Sequence, residues 1–237
     1  MGAKVAELAR QKLDLSAAAL RDEHFYASLP LCAIDAVFSI GVNYTATRNT
    51  VLRWAQSQSP QWAIDRRLSA EDRSISEFLA ALGTATADEL ANGPFGNRQR
   101  TSSRNGILKT EAVRQFAISL RSAGIERFAD VCNEDKLSVA ESAIRQIPGQ
   151  KSGISFDYFL LLAGQDFVKA DRMICRFVAS AAGIDMISPA VAKIAVIDAA
   201  RLLKVQFPHL DARLLDSEIW GYESAKAARK NAKSKSK

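Results

Sequence analysis

Apolar residues recur at helical spacing along most of this chain, and this pattern limits the folds that it can adopt. One such stripe comprises Ala112, Val113, Phe116, Ala117 and Leu120. On a helix these side chains lie on one side, which would be buried in a core. Helix start signals such as Ser188-Pro189 and stop signals such as Gly124 agree with this spacing. No segment shows sustained strand alternation. The sequence therefore predicts an all-α fold of about ten helices.

The composition excludes a membrane-spanning protein. Of the 237 residues, 48% are hydrophobic and 24% are charged, which is ordinary for a soluble globular protein. No run approaches the roughly 18 consecutive apolar residues that cross a bilayer. Residues 1–7 also lack the apolar core of a secretory signal. We expect a cytoplasmic protein with no membrane partner.

The cysteines and histidines do not indicate a metal or redox site. Cys32, Cys132 and Cys175 are too widely spaced for a CxxC-type site, and each is expected to be a small buried apolar residue. His24 and His209 are the only histidines, and neither has a metal-ligand partner. We therefore expect no metal and no cofactor.

The positive charge is concentrated at the end of the chain. Residues 226–237 contain six lysines and arginines and no acid, whereas bases and acids balance in the remainder. A lysine-rich segment with few apolar residues cannot bury enough surface to fold, so residues 225–237 are expected to be a disordered basic tail. Such a tail would attract polyanions, although a merely solubilising role is equally compatible with its composition.

A second basic segment lies inside the chain. Residues 93–106 are rich in glycine, proline and other turn residues, which predicts a loop. Arg98, Arg100 and Arg104 would give this loop a positive face. The loop could contact phosphate, or it could simply be solvated.

Residues 147–163 predict two helices joined by a tight reversal. Pro148 cannot continue the preceding helix, and Gly149 permits the chain to turn. The helix from Ile154 to Ala163 is apolar on almost all sides, so it must be buried. A glycine turn at a helix N-terminus leaves several backbone N–H groups pointing outward, and this arrangement makes an anion site.

Asp171 has two interpretations. As the residue that opens the helix from 171 to 182, it could simply cap that helix. If a phosphate backbone is bound nearby, the same carboxylate could stabilise a sugar cation as a base departs, or it could activate water.

The stretch from Ile147 to Gly153 resembles the hairpin of the helix-hairpin-helix DNA glycosylase superfamily, which includes endonuclease III. Its members carry a leucine or isoleucine, then Pro-Gly-x-Gly, a buried helix, and an aspartate followed five residues later by an arginine. Asp171 and Arg176 match these last two residues in register. The resemblance spans about residues 25–222, because it extends to segments 29–39, 106–112 and 214–222.

The resemblance implies a two-lobed, glycosylase-like fold with a DNA cleft between the lobes. Residues 1–28 and 134–224 would form a discontinuous lobe that contains the hairpin, and residues 29–133 would form a helical bundle lobe. The implied function is DNA repair by base excision. A monofunctional DNA glycosylase would flip a damaged or modified base out of the duplex and hydrolyse its N-glycosidic bond, with Asp171 as the catalytic carboxylate.

Departures from the family pattern refine this expectation. Gly153 stands where bifunctional members have their Schiff-base lysine, so lyase activity is not expected. Lys151 replaces the second glycine of the hairpin, and the four-cysteine site of the iron–sulfur cluster is absent. Many relatives have a glutamine after the serine that matches Ser39, and this glutamine fills the space left by the flipped base. This chain has Ile40 after Ser39. Asn43 and Tyr44 are therefore the nearest candidates to fill the space that the flipped base leaves. Tyr44 and Tyr158 are the candidates to line the base pocket, although tyrosines at such places are more often core residues.

The expected partner is double-stranded DNA with a damaged or modified base, on which the protein acts as a monomer. The expected DNA contacts are Gly149, Gln150, Lys151, Ser152, Gly153, Arg98, Arg100, Arg104 and Arg172. Two alternatives remain open, namely a non-catalytic DNA-binding protein of the same fold and a helical scaffold with a basic tail. The sequence does not specify which base is excised.

Overall fold

The computed structural model describes residues 1–42 and 44–235. Within these residues the chain forms eleven α-helices and two short 3-10 helices. Two isolated β-bridges, Tyr26 with Asp65 and Arg100 with Leu108, are the only β-type pairings in this described part. The prediction of an all-α fold is therefore confirmed.

The helices follow closely from the sequence pattern. They are α1 (Gly2–Lys12), α2 (Leu29–Phe38), α3 (Tyr44–Ser57), α4 (Ile75–Leu82), α5 (Ala87–Asn92), α6 (Lys109–Ser122), α7 (Glu134–Ile144), α8 (Ile154–Leu162), α9 (Arg172–Ala182), α10 (Pro189–Leu203) and α11 (Ala212–Lys235). The 3-10 helices are Asp22–Phe25 and Phe128–Cys132.

Side-chain caps fix several of these helix starts. At α4 the Ser74 hydroxyl accepts a hydrogen bond from the Glu77 N–H, and the Glu77 carboxylate accepts one from the Ser74 N–H. The same reciprocal capping box opens α5, and Ser188 caps α10. Each cap satisfies N–H groups that the first helical turn leaves without an intrahelical partner, so these short segments begin at defined residues.

The chain divides into two compact units. The terminal unit consists of residues 1–21 and 166–237, and the central unit consists of residues 22–165. This division differs from the predicted one, which placed residues 22–28 and 134–165 with the chain ends. The reason is packing, since α7 contacts α6 and α8 contacts α2.

The terminal unit is a helical cluster built around α9 and α10. Helix α10 packs against α1, α9 and α11. Its buried core residues include Val5, Ile174, Phe177, Val196 and Leu215. These side chains come from four helices that are distant in sequence, so the core joins the two ends of the chain.

The central unit is organised around α2, all ten residues of which are buried. This helix contacts α3, α6 and α8. Trp54 lies in an aromatic group with Phe78 and Phe95, at ring-centroid distances of 5.0 and 4.9 Å. Helix α8 contributes Phe156 and Phe159, which pack beside Phe116. The expectation that α8 is a buried apolar helix is confirmed.

Helix α11 extends further than the sequence suggested. It continues to Lys235, so residues 225–235 are helical rather than a disordered tail. Alanines alternate with lysines and arginines in this segment, and these residue types have high helix propensity.

Across the described residues, none of the helices combines the length and apolar character needed to span a bilayer.

Lys109 ties three segments of the central unit together. It opens α6, and only 2% of it is exposed. Its ammonium donates hydrogen bonds to the carbonyl oxygens of Phe38 and Ile40, at 2.9 and 2.7 Å, and to the Gln99 side chain at 3.3 Å. The end of α2 is thereby held against the start of α6. Burial lowers the pKa of Lys109 to about 8.

This lowered pKa predicts a specific dependence of stability on pH. Between pH 8 and about 10.4, the unfolded chain holds a proton on Lys109 that the folded chain has released. The free energy of unfolding therefore rises with pH in this window. Relative to Lys109→Met, which cannot titrate, the wild type should gain roughly 1 to 2 kcal/mol between pH 8 and 10.

Urea unfolding of the two proteins at several pH values measures this difference. A pH-independent difference between wild type and Lys109→Met would contradict a lowered pKa in the folded state. The variant should be less stable at every pH, because the carbonyl groups of Phe38 and Ile40 lose their donor.

Candidate functional site

The hairpin between α7 and α8 is built from two consecutive turns. The Gln150 N–H donates to the Ile147 carbonyl at 2.9 Å, and the Gly153 N–H donates to the Gln150 carbonyl at 3.0 Å. Gly149 and Gly153 both adopt left-handed backbone conformations, with φ of 87° and 76°. Glycine is the residue that adopts this region without steric cost. The hairpin geometry therefore depends on both glycines.

Gly149 lies directly against the basic loop, which we define as residues 98–106. A Cβ atom added to Gly149 would lie 2.5 Å from the Cβ of Thr101 and 2.8 Å from its hydroxyl oxygen. Thr101 is itself fixed, because its N–H donates to the Ile107 carbonyl and its hydroxyl accepts from the Ile107 N–H. The structure thus brings together the hairpin and the basic loop, which are distant in the sequence.

The basic side chains near this contact are not equivalent. Lys151 and Arg104 are exposed. Arg100 is also exposed but donates two hydrogen bonds to the Gly106 carbonyl, which closes the loop. Arg98 is paired with Asp88 of α5 at 2.6 Å. Lys151 and Arg104 are therefore the better candidates for contact with phosphate.

Within the hairpin, Gln150 and Ser152 have local roles. Gln150 is only 2% exposed, and its side-chain oxygen accepts a hydrogen bond from the Ser155 hydroxyl. The Gln150 side chain therefore braces the start of α8 from inside. Ser152 is exposed, and its hydroxyl accepts a long hydrogen bond of 3.5 Å from the Ile154 N–H.

Gly153 precedes α8 at its N-cap position. It has no side chain, so the first-turn N–H groups of α8 are not capped by a side chain at this residue. A Cβ here would collide with the guanidinium of Arg145, which donates to the Lys151 carbonyl and pairs with Glu141. Gly153 aligns with the Schiff-base lysine of bifunctional family members. Its left-handed backbone and the nearby Arg145 guanidinium both disfavour a side chain at this position.

Asp171 caps α9. Its Oδ1 accepts hydrogen bonds from the N–H groups of Met173 at 2.7 Å and Ile174 at 3.3 Å. The capping interpretation of Asp171 is confirmed. The carboxylate is partly exposed, so capping leaves part of it accessible to solvent. Arg172, the first residue of α9, is exposed beside it.

The segment before Asp171 is fastened to the start of α11. Asp166 accepts a hydrogen bond from the Arg213 N–H, and Asp216 accepts one from the Lys169 N–H, each at 3.0 Å. Burial, reinforced by the charge of Asp171, raises the pKa of Asp216 well above its usual range. These two carboxylates therefore hold the backbone of residues 166–169 against α11, directly before Asp171.

Arg176, the other residue carried over from the family pattern, forms part of an ion-pair network. Its guanidinium lies 3.6 Å from the carboxylate of Glu223, which is almost completely buried. Lys226 lies 3.4 Å from the same carboxylate. Arg176 therefore links α9 to α11 and compensates a buried negative charge.

A buried polar cluster in the central unit was not anticipated from the sequence. The Tyr26 hydroxyl donates to the Asp35 carboxylate at 2.6 Å, and both residues are almost fully buried. The guanidinium carbon of Arg48 lies 5.2 Å from the centre of the Tyr26 ring. Burial and the nearby Asp35 carboxylate raise the pKa of Tyr26 well above its usual value.

Two of the three residues expected at the flipped base belong to this cluster. Burial, followed by the charge of Glu23 and a hydrogen bond to it, raises the pKa of Tyr44. The pKa of Tyr158 is raised by burial and by the Asp35 and Glu23 carboxylates. The third candidate, Asn43, lies outside the described residues.

One sequence signal could have indicated this cluster. Asp35 is the only charged residue in α2, a helix that is otherwise apolar and fully buried. A carboxylate in such a helix needs a polar partner. The partner, Tyr26, lies in a preceding segment that has no regular pattern, so it could not be identified from spacing.

The remaining chemistry-bearing residues do not assemble into a metal site. In residues 1–42 and 44–235, no group of three or more histidine, cysteine, aspartate or glutamate side chains is arranged to hold a metal ion. Cys32, Cys132 and Cys175 are free thiols. Burial raises the pKa of Cys175, and the charge of Asp171 raises it further.

The contact between Gly149 and Thr101 predicts how two glycine substitutions should differ. Gly41→Ala is a matched control in the same unit, because Gly41 has φ of 75° and, among the described residues, no atom lies within 4 Å of an added Cβ. Both substitutions incur a left-handed backbone penalty of about 1 kcal/mol. Gly149→Ala must also displace Thr101, which should cost about 1 to 3 kcal/mol more. Urea unfolding measures both losses, and equal losses would show that the contact is not tight.

Comparison with known proteins gives one match. No curated protein and no solved structure matches the chain. The model of the family described as "Domain of unknown function (DUF8548)" matches residues 3–224, which include most of both units. The chain belongs to this family.

Proposed function

We propose that this protein is a monofunctional DNA glycosylase that hydrolyses the N-glycosidic bond of a damaged or modified base. The observation that carries the proposal is the close contact between Gly149 of the hairpin and Thr101 of the basic loop. This contact brings the hairpin and the basic loop together within the central unit, and we infer that both bind phosphate. In this proposal the hairpin and the basic loop would hold the DNA backbone, and Asp171 would supply the catalytic carboxylate.

The hairpin suits the binding of a phosphate group. Helix α8 begins at Ile154, and its first-turn N–H groups, which have no intrahelical partner, carry partial positive charge. The guanidinium of Arg145 lies beside Gly153 and adds positive charge at this helix end. The exposed ammonium of Lys151 adds a full positive charge beside it.

The basic loop supports the same role. The hydrogen bonds from Arg100 to the Gly106 carbonyl close the loop, and Arg104 is exposed within it. Because Thr101 is held against Gly149, a strand of DNA on the hairpin would lie near this loop. Phosphate contacts of this kind position a protein on DNA without reading sequence.

The buried polar cluster is our candidate for base recognition. An extruded base must be read by hydrogen bonds to its edge and by stacking on aromatic side chains. The half-buried rings of Tyr44 and Tyr158 offer stacking surfaces. Asp35 and Glu23 carry acceptors within the same cluster.

The proposed reaction needs one water molecule and one carboxylate. As the bond between C1′ and the base nitrogen breaks, the sugar develops positive charge that the Asp171 carboxylate stabilises. The water oxygen bonds to C1′, and its proton is lost while the departing base takes up a proton. Capping bonds from Met173 and Ile174 hold the Asp171 side chain in one orientation. Gly153 supplies no amine, so strand cleavage by β-elimination is not expected.

A second candidate function is a DNA-binding protein without catalysis. It is favoured by the capping role of Asp171, which accounts for the residue without any chemistry. This candidate retains the hairpin and basic loop as the DNA surface. The two functions therefore differ only in what Asp171 contributes.

Substitution of Asp171 separates these candidates. Asparagine caps helices about as well as aspartate, so Asp171→Asn should keep the free energy of unfolding within about 0.5 kcal/mol of the wild type. Excision should fall by about 100-fold or more, because the carboxylate is lost. The measurement is alkali-induced strand cleavage of duplex oligonucleotides, each carrying one damaged or modified base.

The stability control is Asp171→Ala, which removes the cap and should cost about 1 kcal/mol. Abasic sites produced by the wild type and not by Asp171→Asn support the glycosylase. If neither protein excises any base in a broad panel while both bind duplex DNA, the non-catalytic function is the correct one.

The phosphate-binding surface predicts a change in salt dependence. Lys151→Ala and Arg104→Ala should each reduce the slope of log Kd against log salt concentration by about 0.9 for each phosphate that the substituted side chain no longer neutralises. Lys12→Ala removes the same charge from an exposed site on α1 and serves as the matched control. Fluorescence anisotropy with an undamaged duplex measures these slopes.

The control should leave the slope unchanged. If Lys12→Ala lowers the slope as much as the hairpin and loop variants do, binding depends on overall charge. That result would remove the hairpin from the proposed interface without bearing on Asp171.

A further inference from the structure

Exposed apolar side chains are concentrated in one segment of the terminal unit. Ten large apolar side chains are exposed among the described residues, and six of them lie between residues 184 and 205. They are Ile184, Met186, Val191, Ile194, Leu202 and Val205. Isolated exposed apolar residues are normal on protein surfaces, but a concentration of them marks an interaction site.

Four of these residues share one side of α10. Val191, Ile194, Leu202 and Val205 recur at helical spacing, with Val205 in the turn that follows the helix. We call this set the α10 stripe. Ile194 is 60% exposed and Val205 is 89% exposed. The opposite side of α10 is buried in the unit's core, whereas these four side chains are exposed to solvent. Helix α1 approaches α10 beside Asp198, where Gly2 lies against the Asp198 Cβ.

One ion pair interrupts the α10 stripe near its middle. Asp198 and Arg201 lie 3.3 Å apart and are substantially exposed. Ile194 and Val205 lie at equal distances in sequence on either side of the midpoint between these charges. Along the chain the order is therefore apolar (Ile194), acidic (Asp198), basic (Arg201) and apolar (Val205). When the chain direction is reversed, an apolar residue falls on an apolar one and each charge falls on the opposite charge.

We propose that the α10 stripe binds a second copy of this chain. In an antiparallel pair of α10 helices related by a twofold axis, Ile194 of one copy would lie opposite Val205 of the other. Asp198 of one copy would then lie opposite Arg201 of the other. An isologous interface requires this kind of self-complementarity, and the stripe provides it for both apolar and charged residues.

The composition of the α10 stripe favours this occupant over nucleic acid. The stripe carries one acid and one base, so it has no net charge to attract a polyanion. It is also narrow, because only one helix contributes to it. A stable interface usually buries about 800 Å² on each partner, so we expect a weak dimer that forms at micromolar concentrations. This departs from the monomer expected from the sequence.

Sedimentation velocity of the full chain between about 1 and 100 µM tests the proposal. The wild type should shift from monomer to dimer in this range. Ile194→Glu should weaken the dimer at least tenfold, because it places charge in the apolar contact. Val139→Glu, at a residue of α7 that is also exposed, is the matched control and should dimerise like the wild type.

Charge exchange makes the test specific for two copies of this surface. Asp198→Arg and Arg201→Asp should each weaken the dimer, because each places like charges opposite one another. The double variant restores opposite charges and should return the dissociation constant to within threefold of the wild type. A chain that stays monomeric at the highest of these concentrations, or a dimer that Ile194→Glu does not weaken, would overturn the proposal. Circular dichroism confirms that each variant is folded.

Discussion

The absence of a side chain at Gly149 is the constraint on which the proposed DNA-binding surface depends. It lets the backbone of the hairpin lie against Thr101, so two segments about fifty residues apart in sequence form one surface. Neither segment alone indicates DNA binding, because a glycine turn can be purely structural and a basic loop can be merely solvated. Their contact gives the positive side chains and the α8 N-terminus a common location.

The two units use buried charge in different ways. In the terminal unit, the buried Asp216 accepts a hydrogen bond from the Lys169 N–H and fixes the segment that leads to Asp171. In the central unit, Asp35 is bound by a tyrosine hydroxyl. A buried carboxylate is costly unless it is compensated, so each of these acids identifies a place where the fold is held in a defined geometry.

The sequence predicted the helices better than their arrangement. Periodicity and capping residues such as Ser74 act within a few positions, and the helices begin and end close to where these signals place them. The division into units, the burial of Gln150 and the pairing of Tyr26 with Asp35 depend on contacts between distant segments. Spacing carries no information about such contacts. The charge of residues 225–235 predicts disorder, whereas the high helix propensity of alanine favours the helix that the structure contains.

The geometry of Gly153 also bears on how this hairpin could evolve. An amine nucleophile at this position would require a side chain on a left-handed backbone. It would also require Arg145 to leave its place beside the Lys151 carbonyl. A lysine placed here would therefore carry the strain of the left-handed backbone, while the flexible end of Arg145 would have to move aside. Any gain of an amine at this position would thus come with a loss of stability in the turn.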